Sequence, residues 1–225
     1  MNKNIRQKTK VKTLAASVTD ESNKIETMKN ILFDFISKYV TLTKDEENAI
    51  LSLDVFRSVK KGTILLKEGQ RSQNEYFILK GCIRKYYVID GEEKTTAFYT
   101  EMEGLTPHCA INNAPSEYFV GCVEDTILTV ANKDVGVELL KNFPKFELMC
   151  RKFSEELVAK QQIDFDNFKI STPEQRYLTL LQNRPDLIQR VPQHQLASYL
   201  GIIPQSLSRL RARVLDKRAK SYFLS

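Results

Sequence analysis

The sequence predicts an α+β protein in which an N-terminal antiparallel β jelly-roll barrel is followed by one long helix and a C-terminal winged helix-turn-helix. Short strand-like runs separated by glycines fill the first half, and a helical pattern begins at about residue 134 and includes the long run 146–168. A helix–glycine–helix pattern follows near the C-terminus. Regularly spaced short strands are typical of antiparallel barrels, whereas apolar residues three and four apart indicate helices.

Charge is distributed unevenly along the chain of 225 residues. The net charge is +6, yet residues 191–225 hold six basic residues against one acidic residue, and residues 1–24 hold six against two. The part between these segments is therefore mildly acidic. This asymmetry predicts that a polyanion contacts the C-terminal segment, with help from the N-terminal tail.

The N-terminal segment is predicted to be a tail followed by two helices. Residues 1–27 are polar and lysine-rich without periodicity, which predicts a disordered basic tail, and translation could begin at Met1 or at Met28. A helical pattern follows, and Thr43 with Glu46 forms a capping box for the second helix. Because no membrane-spanning run and no secretory signal are found, we expect a cytoplasmic protein.

The barrel is predicted from regularly spaced glycines within residues 28–145, which we assign to an effector domain. Asp90-Gly91 is a hairpin signal between two strand-like runs. The glycines recur every 7 to 13 residues between runs rich in β-branched and aromatic residues. The glycines are Gly62, Gly69, Gly81, Gly91 and Gly104, and the runs are 64–67, 76–80, 82–89, 94–100, 119–125 and 126–131.

A long dimerisation helix with a hinge is predicted over residues 146–170. One apolar stripe at spacings of three and four suits either a helix–helix seam or a helix packed on the barrel. We expect a dimer seam, because helix-turn-helix proteins bind two half-sites as dimers. Ser171 and Glu174 are predicted to form the next capping box, with Pro173 in the first turn. The stripe consists of Phe146, Met149, Cys150, Phe153 and Leu157.

Residues 171–225 are predicted to form the winged helix-turn-helix. Leu196 and Leu200 share one helix face, and Gly201 can adopt the positive φ that ends a helix. Pro204 suits the first turn of the next helix. The predicted wing elements are a loop or small hairpin at 186–192 and a terminal strand or turn at 221–225.

The polar face of the second helix carries the candidate functional residues. A face of Gln, Ser and Arg with apolar residues behind it suits the DNA major groove. An ordinary amphipathic pair with a solvated basic face is the alternative. The candidates for DNA binding are Gln205, Ser206, Ser208, Arg209, Arg211 and Arg213.

The order of short helices, barrel, long helix and helix-turn-helix resembles the CRP/FNR family of bacterial transcription regulators. The segment 62-GTILLKEGQRSQNEYFILKG-81 is similar to the opening of the family's cyclic-nucleotide-binding barrel, and 205-QSLSR-209 is similar to its recognition motif. The resemblance implies a homodimer that binds double-stranded DNA, with RNA polymerase as a further partner. The alternative is a ligand-sensing or protein-interaction module whose helix-turn-helix no longer binds DNA.

The resemblance also implies a role for each candidate residue. Gln205, Ser208 and Arg209 would contact bases. Arg209 suits guanine, and Gln205, where the family usually has Glu, suits adenine. The residues expected to contact phosphates are Ser206, Arg211 and Arg213.

The sequence departs from the family at the effector pocket. Members that bind cyclic AMP neutralise its phosphate with an Arg, whereas residues 104–125 contain neither Arg nor Lys. We therefore expect no control by cyclic AMP, and the identity of any effector, the operator, and activation or repression remain open. No cofactor, no metal and no enzyme activity are expected, because the cysteines lack cluster spacing and Cys109 beside His108 has no orienting acid.

Overall fold

Two four-stranded antiparallel sheets form the N-terminal half of the protein. The computed structural model describes residue 27 and residues 29–222, with side chains up to residue 216. The strands are β1 (Phe56–Val59), β2 (Ile64–Leu66), β3 (Asn74–Lys80), β4 (Ile83–Ile89), β5 (Glu92–Tyr99), β6 (Gly104–Leu105), β7 (Phe119–Cys122) and β8 (Thr126–Asn132). The first sheet has the order β1-β8-β3-β6 and the second has the order β2-β7-β4-β5. They form the predicted jelly roll.

Helices precede, interrupt and follow the two sheets. The predicted basic tail lies outside the described residues, apart from residue 27. The helices are α1 (29–36), α2 (Lys44–Ser52), α3 (His108–Asn112), α4 (Lys133–Asn142), α5 (Lys145–Ile170), α6 (Pro173–Asn183), α7 (Pro185–Arg190), α8 (Gln193–Leu200) and α9 (Pro204–Tyr222). The combination confirms the predicted α+β class and its order of parts.

Strand alternation separates two cores on either side of the first sheet. Tyr76 and Ile78 on β3 point between the sheets and are buried with Leu128 of β8. The intervening residues, Phe77 and Leu79, belong to a second core on the outer face of the same sheet. Successive side chains of a strand point to opposite faces, so β3 contributes to both cores.

The long helix α5 packs part of its apolar stripe on the barrel. Phe146 is 1% exposed within the outer core that also contains α1 residues. Phe153 meets Phe77 and Phe35, with ring centroids 5.9 and 5.6 Å apart. The outer face of the first sheet thus provides apolar contacts for part of the stripe within one chain, and the dimer seam stays a prediction. Cys150 on the stripe is exposed.

The helix caps confirm one prediction and correct another. Thr43 and Glu46 form the predicted capping box at α2. At α6 the capping box consists of Thr172 and Gln175, one residue later than the predicted pair of Ser171 and Glu174. Ser171 instead ends α5. The physical reason is Pro173, which occupies the first helical position and leaves the residue before it as the cap.

The predicted wing is not found among residues 133–222, which contain helices and no strand. The expected loop or hairpin at 186–192 is mostly α7, because Pro185 ends one helix and also suits the first position of the next. Residues 221 and 222 continue α9, and residues 223–225 lie outside the described part.

The helix-turn-helix itself is built as predicted. Helix α8 ends at Gly201 with φ of 72°, in the left-handed region, and α9 begins at Pro204. Leu196 and Leu200 of α8 are 1% and 2% exposed and share a core with Leu207 of α9. At about 25 cal/mol per Å², burial of such side chains stabilises each by about 1.5–3 kcal/mol relative to exposure.

Candidate nucleic-acid interface

The outer face of α9 presents three of the predicted DNA-binding residues to solvent. Leu207 and Leu210 are buried against α8, at 0% and 4% exposure. Gln205, Ser208 and Arg209 lie on the opposite side of the helix and are exposed. With 3.6 residues per turn, these three positions form one continuous surface, which we call the recognition surface.

The other three predicted residues lie at the margins of this surface. Ser206 and Arg211 are partly buried on opposite flanks of α9, whereas Arg213 is exposed. The Nη1 atom of Arg213 lies 3.9 Å from Oε2 of Glu174, at the start of α6. Such an exposed pair contributes little to stability, so Arg213 can exchange this carboxylate for a phosphate.

Gln193 joins the recognition surface although the sequence analysis did not single it out. This residue opens α8, and its Nε2 donates a hydrogen bond to Oγ of Ser208 at 2.7 Å. The bond connects the two helices on their solvent side. It orients the Ser208 hydroxyl, whose proton remains available to an acceptor. The two residues lie 15 positions apart, so helical periodicity alone could not pair them.

Arg176 ties the long helix to the turn of the helix-turn-helix. Its Nη1 donates to the carbonyl oxygen of Leu200 at 2.9 Å, which satisfies an acceptor at the end of α8. Its guanidinium carbon lies 4.1 Å from the ring centroid of Phe168, near the end of α5. A cation over an aromatic face is attractive, so Arg176 couples α5, α6 and the turn. Periodicity could not predict this contact, because Arg176 and Leu200 lie 24 positions apart.

Two buried tyrosines, Tyr76 and Tyr118, lie in the core between the two sheets. Tyr118 accepts a hydrogen bond from the backbone N–H of His108 at 3.1 Å, and Tyr76 donates to the carbonyl oxygen of Leu65 at 3.0 Å. Burial raises the pKa of Tyr76 to about 12, which keeps this phenol neutral. Both phenols are thus held by hydrogen bonds with backbone atoms.

Lys85 supplies a cation beside these rings that inspection of residues 104–125 could not reveal. It lies on β4, and its Nζ is 4.9 Å from the ring centroid of Tyr118 and 6.0 Å from that of Tyr87. Burial lowers the pKa of Lys85. The ammonium group is thus held over aromatic faces, where cation–π attraction partly replaces hydration.

A groove of about 440 Å³ lies between α5 and the β3–β6–β8 side of the first sheet. Phe77 and Phe153 form its apolar walls, and Glu75 is its carboxylate. None of the described residues that line it is Lys or Arg. A phosphate would therefore meet no positive side chain in this groove.

The pair His108–Cys109 does not form a reactive site. Cys109 is 3% exposed inside the barrel, whereas the His108 ring is exposed and lies near Asn112, with Nδ1 3.2 Å from Nδ2 of that residue. A buried thiol and an outward imidazole cannot act on one substrate atom. The described residues contain no group of His, Cys, Asp or Glu able to hold a metal ion, and none of their helices is long and apolar enough to cross a membrane.

Comparison with known proteins gives a family match for the barrel and a fold for most of the chain. Residues 56–143 match the family model of the cyclic nucleotide-binding domain. The c-di-GMP-responsive global regulator CLP of Xanthomonas campestris matches with a TM-score of 0.59 at 13% identity, over 78% of this chain and 93% of that chain. The chain has the fold of the CRP/FNR regulators.

Two further CRP/FNR structures agree with this assignment. A CooA mutant from Carboxydothermus hydrogenoformans has a TM-score of 0.56 at 19% identity, over 72% of this chain and 76% of that chain. FixK2 from Bradyrhizobium japonicum has the same TM-score at 16% identity, over 72% of this chain and 84% of that chain. No curated protein sequence matches the chain. The resemblance predicted from the sequence is confirmed for the CRP/FNR fold, and the ligand and the operator depend on this chain's own residues.

Proposed function

We propose that the protein is a sequence-specific regulator of transcription that binds double-stranded DNA as a homodimer and is not controlled by cyclic AMP. The observation that supports this most strongly is the exposed recognition surface of Gln205, Ser208 and Arg209 on a helix whose other side is fully buried. Gln and Arg can each form bidentate hydrogen bonds to base edges in the major groove. Ser206, Arg211 and Arg213 at the margins would contact phosphates, and RNA polymerase would be a further partner.

We propose that the helix α5 of a second copy of the chain packs against exposed apolar residues of α5. Besides the predicted stripe, two pairs of residues seven positions apart are exposed on other sides of the helix: Val158 with Phe165, and Ile163 with Ile170. These four are 60–80% exposed. Residues seven apart lie on one side of a helix and suit pairing with another helix.

The geometry of two half-sites also favours a dimer. Helix-turn-helix proteins insert two recognition helices into major grooves about one DNA turn apart. Burial of Ile163 and Ile170 against a symmetry mate would hold the two copies of α9 at a fixed separation. Substitution of Ile163 by Glu should therefore produce monomers in light scattering, whereas substitution of the exposed Glu155 by Ala should leave the dimer intact.

Selection from a pool of random duplexes tests the proposed function. The protein should enrich a two-fold symmetric sequence whose half-sites are centred about 10 base pairs apart. Addition of cyclic AMP should leave that enrichment unchanged, because residues 104–125 contain no Arg or Lys and the ammonium of Lys85 is held over the rings of Tyr118 and Tyr87. Recovery of random sequence alone would favour the alternative, a sensing or protein-interaction module that has lost DNA binding.

A further inference from the structure

Arg190 enters an acidic cleft formed by two turns of the barrel. It lies at the end of α7, and its Nη1 and Nη2 donate to Oε2 and Oε1 of Glu101 at 2.9 and 2.8 Å. Its Nε donates to Oε1 of Glu124 at 2.9 Å, and Asp186 of the same helix lies 3.3 Å away. Glu101 follows β5 and Glu124 precedes β8. One guanidinium therefore joins α7 to two separate turns of the barrel, in the two-bonded geometry that is strongest for Arg and carboxylate.

A second contact completes the free edge of the second sheet. Strand β5 ends the order of that sheet, so part of its backbone lacks a strand partner. The Thr95 N–H donates to Oγ of Ser198 on α8 at 2.9 Å, and the Ser198 hydroxyl donates to the carbonyl oxygen of Glu93 at 3.1 Å. Unpaired edge groups are usually covered or blunted. Here α8, the first helix of the helix-turn-helix, covers these backbone groups of β5.

The same junction is apolar at its centre. Cys82, Phe98 and Val123 of the barrel are at most 6% exposed and lie in one core with residues of α6 to α9. The rings of Phe98 and Tyr199 have centroids 5.3 Å apart in an edge-to-face arrangement. The barrel and the helix-turn-helix thus share a core and are not connected by the hinge alone.

We propose that Arg190 is a positioning residue for DNA recognition. Through its pairs with Glu101 and Glu124 it holds the helix-turn-helix on the barrel in the orientation that binds DNA. The inference rests on the proposed function and adds a residue that positions the DNA-binding helices.

The direction of the effect follows from the placement of α8. Ser198 and Tyr199 face the barrel, whereas Ala197 and Leu200 are buried in the helical core with α9. The recognition surface lies on the outer face of α9, away from the barrel, and stays exposed while the helix-turn-helix is docked on the barrel. Docking therefore leaves the DNA-binding residues accessible and removes the freedom of the hinge. Loss of docking would lower the competent fraction, and the apparent affinity falls in proportion to that fraction.

Arg190→Gln is the direct test, and Arg57→Gln is its matched control. Both remove one positive charge, but Arg57 pairs with Asp54 within the barrel, at 2.7 Å. We expect Arg190→Gln to weaken binding to the duplex selected by the wild-type protein by at least tenfold, and Arg57→Gln to change it by less than twofold. Arg190→Gln should also discriminate less than the wild-type protein between the selected duplex and duplexes whose half-sites are one base pair closer together or farther apart. A loss of stability alone would not produce this change.

Hydrogen exchange measured without DNA separates this inference from the proposed function. The Thr95 amide should exchange faster in Arg190→Gln and in Glu101→Gln than in the wild-type protein, because its acceptor on Ser198 leaves when the unit undocks. The second variant supports the same conclusion if the first fails to fold. Unchanged exchange at Thr95, or tighter DNA binding by either variant, would overturn the inference. A wild-type protein that binds no duplex would contradict the proposed function, and the exchange result would still decide whether Arg190 holds the two units together.

Discussion

The guanidinium of Arg190 forms two parallel hydrogen bonds with the carboxylate of Glu101, at 2.9 and 2.8 Å, across 89 positions of the chain. This pair joins the last turn of α7 to the turn between β5 and β6. Because the Arg190 side chain is only 23% exposed, solvent screens the pair less than it screens a surface pair. The orientation of the helix-turn-helix relative to the barrel is therefore fixed by side chains, not only by the linker.

Acid should loosen this junction. Burial raises the pKa of Glu101, but hydrogen bonds from Arg190 and from the Gly81 N–H outweigh that effect, so the pKa lies below its ordinary value of 4.5. A lowered pKa stabilises the folded state above the unfolded value, and this contribution disappears as the pH falls through the folded value.

Urea unfolding at several pH values measures this contribution. The wild-type protein should be more stable than Glu101→Gln near neutral pH, and the difference should shrink as the pH falls below 4.5. Other carboxylates titrate equally in both proteins and so cancel in the comparison. A difference that is the same at neutral and acid pH would show that Glu101 contributes through something other than its charge.

Base contact by Arg209 should be separable from phosphate contact by Arg213. Arg209→Ala should cost about 1–3 kcal/mol on the preferred duplex and relax specificity at one position, because a bidentate pair with guanine is lost. Arg213→Ala should weaken all duplexes to a similar extent. Competition with single-base variants of the selected site measures both effects. Uniform weakening by Arg209→Ala would assign that residue to the phosphate backbone.

Gln193 and Ser208 should act as one unit. Because Nε2 of Gln193 donates to Oγ of Ser208, removal of either side chain breaks the same bond. In a double-mutant cycle on DNA affinity, Gln193→Ala and Ser208→Ala should show a coupling of about 0.5–1 kcal/mol. Strictly additive effects would mean that each residue contacts DNA on its own.

Two glycines should respond in opposite directions to replacement by Ala. Gly201 has φ of 72°, and a Cβ there would lie 3.1 Å from Nη1 of Arg176, so Gly201→Ala should destabilise the protein by about 1–2 kcal/mol. Gly136 lies inside α4 with nothing within 4 Å of an added Cβ, so Gly136→Ala should stabilise it by about 0.5–1 kcal/mol. Thermal unfolding of both variants measures these two changes in stability. If both substitutions destabilise the protein, the account of Gly136 as an unstrained helical position is contradicted.

Features encoded by a few adjacent residues were predictable from the sequence. Asp90 and Gly91 both have positive φ in the hairpin between β4 and β5, as their types indicate. The cap at Thr43 and the turn from Gly201 to Pro204 are equally local. In each case the backbone conformation is specified by a side chain, or by its absence, at that position.

Features that depend on distant partners were not predictable. The apolar stripe containing Phe153 suits a barrel or a second helix equally well, and its contact with Phe77 of the barrel depends on the fold. Lys85 reaches Tyr118 because β4 and β7 are neighbours in the second sheet. The pairing of Arg190 with Glu101 has the same origin. Periodicity indicates which face of an element is apolar, but it does not identify what covers that face.

The dependence of DNA affinity on salt tests the central claim most directly. If Arg209, Arg211 and Arg213 of two chains meet phosphates and bases, bound counterions must be released, and log affinity falls by about 0.9 per phosphate for each unit of log salt. We predict that affinity for the selected duplex drops at least about 100-fold between about 50 and 200 mM salt. An affinity that is weak at low salt and unchanged over this range would contradict the account.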